Sequence, residues 1–457
     1  MILKIVLPST WLVSAALLSL ALPPSAAAEA PARAALGAGF DRVVESHAGG
    51  ARAQAPDPHG VLRLRDAIGA MLLGNPGLAV FSWEVRSREA RAVQADLLPN
   101  PELTAEVENL GGSGERDSFE QAETTVWLAQ LVQIGGKRAK RSRLAALEHD
   151  LSGWDYEGAR LGASTATTRA FVKTLSAQRR LELVYELERL ATESIRSIHE
   201  QVQAGAAPAV EEMQARVELA RALLQRQAVE RELAVSRVTL ASMWGRAVPR
   251  FTAVIGDLAQ MTPVPLLADL ERRIKENPDV ARWRTEVDRH EASLSLERAR
   301  GLPDPTFSLG GRHFNDNGDT ALVVALSVPI PVFDRNQGNV LAATYDVERA
   351  RAARLAAELA VRTAVRERHA ELVAAFAAAE MLREDALPAA RAALEGTRDG
   401  HRKGLFHYRE VLDAQRMLFE LRTQRIEALS GYHLARADLE RLTATPLDAA
   451  ALAGSMP

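Results

Sequence analysis

Apolar residues recur at three- and four-residue steps over two long stretches of this chain, residues 136–203 and 339–402. This spacing gathers the apolar side chains on one face of an α-helix. The first stretch contains no proline, and as one continuous helix it would extend ~100 Å. The second contains Pro388, which lacks the backbone N–H that a helix interior requires, so we expect a bend there.

Each long helix ends near a glycine, and a second helix runs back beside it. A break at Gly205 precedes a helical pattern over residues 210–244, and a break at Gly404 precedes another over residues 408–442. Helices this long need neighbours that cover their apolar faces. The pattern therefore predicts a mainly α-helical protein built from two long antiparallel coiled-coil hairpins.

Four shorter stretches alternate apolar and polar residues as β-strands do: residues 102–110, 124–133, 306–314 and 320–328. In the first of them Leu103, Ala105 and Val107 alternate with glutamates and a threonine. Such alternation gives a strand one face suited to lipid and one suited to water. Each stretch is near the ~9–11 residues that a tilted membrane strand requires. Trp127, in the least regular stretch, fits either a membrane interface or a buried structural position.

Four strands per chain are too few for a closed membrane barrel, because about eight strands form the smallest one. An open sheet edge in lipid would leave backbone groups unpaired, which a bilayer does not tolerate. If these strands span a membrane, several chains must therefore share one barrel. The alternative is a soluble protein in which two strand hairpins form a small sheet on a helical body. A coiled-coil scaffold would explain the helices but not the strands.

The strand–turn–strand unit and its flanks occur twice. Leu-Pro-Asn-Pro at 98–101 opens the first unit and Leu-Pro-Asp-Pro at 302–305 opens the second, and an Asn-Pro pair precedes each at nearly the same distance. A repeat of this length is a duplicated half, because a solenoid unit would have a shorter period. We predict two repeats, residues 62–263 with a helical hairpin over 136–244, and residues 264–445 with a helical hairpin over 339–442.

The N-terminus has the features of a secretory signal peptide. Lys4 precedes a largely apolar run, and the segment Pro-Ser-Ala-Ala-Ala at 24–28 supplies small residues for cleavage. A retained membrane anchor is the alternative, although Pro8 interrupts the apolar run. We predict a signal peptide over residues 1–28, a flexible leader over 29–61 and a C-terminal tail over 446–457. The mature chain would then be exported.

Composition excludes several classes of function. The chain contains no cysteine, so disulfides cannot stabilise it and no lipid can be attached after the signal peptide. A formal net charge of -3 argues against nucleic acid as a partner. The sequence lacks a phosphate-binding loop, a Gly-x-Ser-x-Gly elbow and a His-Glu-x-x-His motif. We interpret Gly111-Gly112 and Gly310-Gly311 as turn residues at strand ends, and we predict neither an enzyme nor a cofactor.

Metal binding by the chain itself is not expected. The ten histidines are scattered, and no two of them stand three or four residues apart, the spacing that would let one helix face hold a metal ion. His401 and His407 flank the second hairpin tip, where we expect both to be solvated.

Several motifs together resemble those of the TolC-like outer membrane efflux proteins. They are the two Leu-Pro-x-Pro segments, Gly-Gly-Lys-Arg at 135–138, and Glu-Val-Leu-Asp-Ala-Gln at 410–415 after Gly404. The segment VPIPVFDRNQGN at 328–339 is similar to the subgroup paired with heavy-metal exporters of the resistance–nodulation–division (RND) type, the cobalt–zinc–cadmium outer membrane channels. The resemblance covers residues 62–445.

This resemblance implies a homotrimer, in which three chains share a barrel of about twelve strands in the outer membrane. The helices would continue as a periplasmic tunnel that docks with a periplasmic adaptor protein and an inner-membrane RND pump. The implied function is an exit duct for divalent heavy-metal cations in a Gram-negative bacterium, without chemistry of its own. A multidrug or type I secretion duct is an alternative of the same architecture. An exported coiled-coil scaffold is the alternative from another class.

In this family, acidic residues just after the second hairpin tip line the periplasmic aperture. By position after Gly404 they correspond to Glu410 and Asp413. Their spacing of three puts both carboxylates on one helix face, and in a trimer each would form a ring of like charges that attracts cations. Glu211 and Glu212 occupy the corresponding place in the first half. The structural alternative is that these acids interact favourably with the helix macrodipole.

The hairpin tips around Gly205 and Gly404 are the expected contacts of the adaptor protein. Leu405 and Phe406 are hydrophobic residues that we expect to be exposed at the second tip, and packing within the trimer is the alternative for both. Phe406 stands where some family members have a basic latch residue, and Arg409 is the available substitute.

Overall fold

The structure is a computed structural model, which describes residues 57–116 and 119–447. Most of these residues are helical and a minority form strands, which confirms the predicted mainly α fold with a small β part. The predicted signal peptide, most of the leader and most of the C-terminal tail lie outside the described residues. Among the helices of this part of the chain, none combines the length and the apolarity that crossing a bilayer would require.

The two halves contain similar elements in the same order. The first half comprises β1 (Gly60–Leu62), α1 (Leu64–Gly74), α2 (Pro76–Ala95), β2 (Glu102–Glu108), β3 (Glu123–Leu131), α3 (Lys137–Gln203) and α4 (Ala209–Ser242). The second half comprises β4 (Phe251–Val254), α5 (Leu267–Arg273), α6 (Pro278–Arg300), β5 (Thr306–Phe314), β6 (Thr320–Ser327), α7 (Gln337–Met381), α8 (Leu387–Arg402) and α9 (Tyr408–Thr443).

Each repeated Asn-Pro pair starts a helix, and its asparagine side chain links that helix to the end of the last helix in the same half. Proline occupies the first turn of α2 and of α6, where its missing N–H would have no helical partner anyway. The Asn75 side chain accepts a hydrogen bond from a backbone N–H of α2 at 2.9 Å and donates one to the Met243 carbonyl, just after α4, at 2.8 Å. Asn277 makes the same two bonds, to a backbone N–H of α6 at 2.6 Å and to the Leu442 carbonyl of α9 at 2.8 Å.

The core lies where the hairpins meet the shorter elements. Trp244 and Phe251 are fully buried with their rings 6.1 Å apart, beside a small parallel pair formed by β1 and β4. Leu270 of α5, Leu372 of α7 and Tyr432 of α9 belong to the matching cluster of the second half. The sequence pattern missed the β1–β4 pair, because strands this short show no measurable alternation.

The second hairpin changes its helical hydrogen-bond pattern just before Pro388, the residue at which the sequence predicts a bend. A π-helical segment, Leu382–Ala386, separates α7 from α8, and Pro388 stands in the first turn of α8. The missing N–H of a proline leaves the preceding turn without one hydrogen bond, and a π segment is a known way in which a helix absorbs such a defect. The long helix of the first hairpin, α3, runs without interruption.

The four longer strands form one antiparallel sheet in the order β2-β3-β5-β6. Leu131 pairs with Thr306, which in turn pairs with Ser327, and Glu102 pairs with Ala129. These pairs place all four connections between strands and long helices at one end of the sheet. The helices therefore continue the sheet in a single direction.

This register sorts the sheet residues onto two faces. The apolar face carries exposed hydrophobic side chains from all four strands, namely Leu103, Val107, Val126, Leu128, Phe307, Leu309, Leu322, Val324 and Leu326. The polar face carries Glu102, Glu106, Glu108, Glu123 and Arg312. Trp127 is half-buried on this polar face, so it is not one of the side chains of the apolar face.

The interpretation of Gly310-Gly311 as turn residues is wrong, because both lie inside β5. Gly310 pairs with Trp127 of β3, and a Cβ atom at Gly310 would overlap the Val126 carbonyl oxygen and the Trp127 Cβ. Glycine is therefore needed for close approach of β3 and β5. Gly111 does follow the end of β2, with a positive φ of 67°.

We predict that Gly310→Ala lowers the free energy of unfolding by about 1–3 kcal/mol, since the added methyl group overpacks the β3–β5 pairing. Gly311→Ala is the matched control, because its nearest neighbour would be the Ala321 carbonyl oxygen at 3.8 Å. Chemical denaturation of both variants followed by circular dichroism measures the difference. Equal stability of the two variants would contradict the proposed close approach.

Candidate functional site

Both hairpins turn through the same backbone motif. Gly205 has a φ of 70° and Gly404 a φ of 72°, a left-handed conformation that only glycine adopts without strain. The backbone N–H of the following residue then donates to a carbonyl five residues back, from Ala206 at 2.8 Å and from Leu405 at 2.9 Å. This is the Schellman arrangement that terminates many helices. The glycines predicted at the tips therefore determine where each hairpin reverses.

The two tips lie at the same end of the molecule. Ile198 of α3, Ala215 of α4, Leu394 of α8 and Val411 of α9 are buried in one cluster. All four residues stand close to a tip in the sequence, so the two hairpins pack against each other just beneath their tips.

The second tip is built around Phe406. A Cβ atom at Gly400 would overlap the Phe406 ring, so glycine makes room for the ring against α8. The His401 Nδ1 lies 3.0 Å from the Phe406 carbonyl oxygen, and its ring lies 6.0 Å from the ring of Tyr408. His401 is therefore part of the tip structure, and the expectation that it is simply solvated is wrong.

The tips differ in the side chains that they present. Leu405 is 72% exposed and Phe406 is 46% exposed, whereas the equivalent residues of the first tip are Ala206 and Ala207. Both tips have the same backbone, but the second tip places large apolar side chains in the turn itself, whereas those exposed beside the first tip, Val210 and Met213, lie at the start of α4.

The two acids after the second tip have different electrostatic surroundings. Glu410 is exposed, and within residues 57–116 and 119–447 its carboxylate forms no ion pair. Asp413 is also exposed, but its carboxylate lies 3.2 Å from the Arg416 guanidinium and 3.9 Å from that of Arg409. The negative charge of Asp413 is therefore largely offset within the chain, while the charge of Glu410 is not. Arg409, which we considered as a latch, is in contact with Asp413.

The first hairpin has one equivalent acid. Glu211 stands six positions after Gly205, as Glu410 stands six positions after Gly404. Glu212 instead corresponds to Val411, and it lies 2.6 Å from Arg216 and 3.3 Å from His199. The hydrogen bond from Arg216 lowers the pKa of Glu212. Of the two predicted residues, only Glu211 matches the aperture position by its place in the turn.

The sequence pattern missed an ion-pair network that joins the hairpins. The Arg416 guanidinium of α9 donates to the Glu218 carboxylate of α4, with Nε 3.3 Å from Oε2, and Arg221 approaches the same carboxylate at 3.1 Å. The hydrogen bond to Glu218 raises the pKa of Arg416. Arg416, Glu218 and Tyr408 line a cleft of about 510 Å³ between α3, α4 and α9. The spacing from Asp413 to Arg416 was visible in the sequence, but Glu218 lies on the other hairpin.

No group of three or more histidine or acidic side chains within the described chain is arranged to hold a metal ion. The site consists of the exposed acids Glu410 and Asp413, the partly buried acids Glu211 and Glu212, two glycine turns and an apolar second tip. Such an arrangement can attract cations and contact another protein.

Comparison with known proteins gives a consistent result. The sequence profile described as "Outer membrane efflux protein" matches residues 67–246 and 270–445. The cobalt-zinc-cadmium resistance protein CzcC of Cupriavidus metallidurans is 30% identical over 383 residues, which cover 84% of this chain and 90% of that protein. The nickel-cobalt-cadmium resistance protein NccC of Alcaligenes xylosoxydans is 25% identical over 294 residues, 64% of this chain and 66% of that protein.

A solved structure has the same fold. The outer membrane protein VceC of Vibrio cholerae superposes with a TM-score of 0.70 over 84% of this chain and 96% of its own, at 17% sequence identity. At this identity the likeness concerns the fold alone.

We predict that Gly400→Ala displaces the Phe406 ring into solvent, because the added methyl group takes the space that the ring occupies. Limited digestion with chymotrypsin, which cleaves after exposed aromatic residues, should then cut after Phe406 several-fold faster. Gly396→Ala on the same helix is the control, since nothing lies within 4 Å of its added methyl group. The control should instead stabilise α8 by roughly 0.5–1 kcal/mol. Equal cleavage of both variants would contradict the packing of Phe406 on Gly400.

Proposed function

The chain belongs to the outer membrane efflux protein family, and we propose that it is the exit duct of a tripartite RND-type efflux system for divalent heavy-metal cations. In this proposal residues 1–28 are removed as a signal peptide, and the mature chain forms a homotrimer in the outer membrane of a Gram-negative bacterium. The duct performs no chemistry and binds no cofactor.

One observation carries the proposal: a four-stranded sheet with an uncovered apolar face leads directly into very long helices. The hydrophobic side chains of that face range from 44% exposed at Val126 to 76% exposed at Leu322. Water would disfavour such a surface, since large apolar patches of soluble proteins mark contacts with a membrane or a partner. This face argues against the soluble scaffold alternative and supports contact with lipid.

The sheet edges support the homotrimer. Strands β2 and β6 are the two edges, and an edge in lipid must be paired because no water is available there. If β2 of one chain pairs with β6 of the next, three chains close a barrel of about twelve strands. Each of the proposed repeats, 62–263 and 264–445, would then contribute two strands and one helical hairpin.

Charge on the polar face supports cations as cargo. Glu102, Glu106, Glu108 and Glu123 lie on this face together with one basic residue, Arg312. The Arg312 guanidinium is already held by Glu123 at 2.7 Å and by Glu108 at 3.1 Å. In a barrel this face would line the pore, where an excess of carboxylates favours cations over anions.

The names of the relatives bear on which cargo the proposed duct exports. CzcC is named for resistance to cobalt, zinc and cadmium, and NccC for resistance to nickel, cobalt and cadmium. These names, together with the acidic polar face, favour divalent metal cations over the multidrug and type I secretion alternatives.

The tips are the proposed contact with a periplasmic adaptor, which links the duct to an inner-membrane RND pump. Leu405 and Phe406 supply apolar area, and the Gly205 and Gly404 turns hold both tips in one shape. Glu410 and Glu211 are the proposed acids of the aperture. Asp413 and Glu212 contribute less, because basic residues of the same chain offset their charge.

We predict that Glu410→Gln reduces the preference of the reconstituted channel for cations, while Asp413→Asn changes it by a smaller amount. The reason is that Arg416 and Arg409 already offset the Asp413 charge. Reversal potentials in planar bilayers under a salt gradient measure the preference. A larger effect of Asp413→Asn than of Glu410→Gln would contradict the assignment of the aperture charge to Glu410.

We also predict that deleting the gene lowers tolerance to one or more of zinc, cobalt, cadmium and nickel, with drug tolerance unchanged. Growth across graded concentrations of each metal and a drug panel checks this outcome. The wild-type gene should restore tolerance. A gene encoding Val324→Lys should fail, because a lysine on a lipid-facing strand costs about 2–4 kcal/mol near the bilayer midplane. Loss of drug tolerance alone would leave the duct in place and overturn the metal assignment.

A further inference from the structure

The border between the sheet and the long helices exposes apolar side chains on every connection. Leu98 precedes β2, Ile134 follows β3, Leu302 precedes β5, and the segment after β6 adds three more. We call this set the junction belt: Leu98, Ile134, Leu302, Ile330, Val332 and Phe333, all of which are exposed. The strand register brings the four connections to one end of the sheet, so the junction belt surrounds that end.

The segment after β6 carries the two most exposed side chains of the junction belt. Ile330 is 82% exposed and Phe333 is 90% exposed. Beyond Ser327, where β6 ends, the chain turns, and the Val332 backbone N–H donates to the Ile330 carbonyl oxygen at 2.9 Å. Exposed apolar side chains therefore continue past the last strand residue, on a turn rather than on the sheet.

The end of the same segment is fixed against α6 by a side chain and by close backbone packing. The Asn336 side chain donates to the Glu297 carbonyl oxygen and to the Glu297 carboxylate, both at 2.7 Å. The Arg335 carbonyl oxygen would lie 2.7 Å from a Cβ at Gly301, so this backbone packs directly on the end of α6. Pro329 further restricts the chain. The apolar side chains are thus presented outward by a fixed segment rather than folded back onto the molecule.

The helix that begins at this border has an unfavourable charge pattern. Five basic residues occupy the start of α3 and no acid stands in its first turn; they are Lys137, Arg138, Lys140, Arg141 and Arg143. Cations at a helix N-terminus oppose the macrodipole, which favours anions there. Helix stability therefore cannot explain their presence.

Three of these five cations form hydrogen bonds or ion pairs with neighbouring elements. Lys137 donates to the Leu302 carbonyl at 2.5 Å and pairs with Asp304 at 2.8 Å. Arg138 and Arg141 donate to backbone carbonyls at the end of α2, at 2.6 Å and 2.7 Å. The other two, Lys140 and Arg143, form no ion pair with any residue that the structure describes.

We infer that the junction belt is an anchor in the periplasmic leaflet of the outer membrane, and that Lys140 and Arg143 bind anionic phospholipid headgroups there. This inference rests on the proposed function. Acyl chains would cover the belt, which lies at the helix end of the sheet, and phosphate groups would meet the cations just beyond it. Bilayer interfaces offer this sequence of apolar and anionic layers. A second copy of the chain could cover the belt, but its contact would not account for the two uncompensated cations.

Because the chain contains no cysteine, single labels can test the belt in the full-length protein. Phe333→Cys, Val324→Cys and Leu405→Cys are each labelled with bimane and reconstituted into phosphatidylglycerol and phosphatidylcholine vesicles. Nitroxide lipids should quench the label at positions 333 and 324, whereas aqueous iodide should quench it at position 405, on the exposed tip.

The quenching results at the three labelled positions test the anchor and the proposed function independently. Lipid quenching at 324 combined with iodide quenching at 333 would overturn the anchor and leave the duct intact. Shielding of position 333 from both quenchers would mean that another copy of the chain covers it, which also overturns the anchor. Absence of lipid quenching at 324 would contradict the membrane sheet itself.

A second experiment tests the headgroup contact. Native mass spectrometry of the wild type, released from mixed micelles, should show preferential retention of phosphatidylglycerol over phosphatidylcholine. The double variant Lys140→Gln, Arg143→Gln should lose roughly 10- to 30-fold of that preference, given the usual contribution of each surface cation. Arg402→Gln, Lys403→Gln at the tip is the matched control and should behave as the wild type. An unchanged preference in the first double variant would overturn the role of these cations.

Discussion

Strands β2 and β6 each have a hydrogen-bond partner on one side only, and the sheet between them has no cover on its apolar face. These two deficits constrain the rest of the molecule. In water an open apolar edge favours aggregation, and in lipid unpaired backbone groups are too costly. Both deficits are removed when copies of the chain close a common barrel whose apolar face meets acyl chains. The hairpins then need to continue from one end of the sheet, and the register of the strands makes them do so.

The duplicated halves share a backbone geometry but differ in their side chains and in the continuity of their helices. Asn75 and Asn277 close their halves by equivalent hydrogen bonds, and Gly205 and Gly404 terminate their helices by equivalent turns. The differences lie in side chains and in continuity: Leu405 and Phe406 replace two alanines, and a π segment with Pro388 interrupts only the second hairpin. Duplication thus keeps one backbone geometry in both halves, while the second half differs by the Leu405 and Phe406 side chains and by the π segment.

Acidic and basic residues are concentrated in different parts of the molecule. The polar face of the sheet and the position after each tip carry acids, whereas the start of α3 carries cations that its own macrodipole disfavours. Two of the basic residues near these acids are engaged in ion pairs: Arg312 is bound by Glu108 and Glu123, and Arg416 is bound by Glu218 and Asp413. In the proposed duct, paired charges would act weakly on a passing cation, so the unpaired carboxylates would dominate the field.

The sequence by itself determined the type and extent of the main elements, because periodicity is a local property that each strand and helix carries alone. Alternation located the four strands to within two residues, and the glycines at 205 and 404 located both tips. Only the tertiary structure decided which charges remain unpaired, as Glu218 and Arg416 are 198 residues apart and meet only when the hairpins pack. It also decided the roles of Gly310 and His401. Close approach of two strands, or of a ring to a carbonyl, depends on three-dimensional neighbours that residue spacing along one chain does not encode.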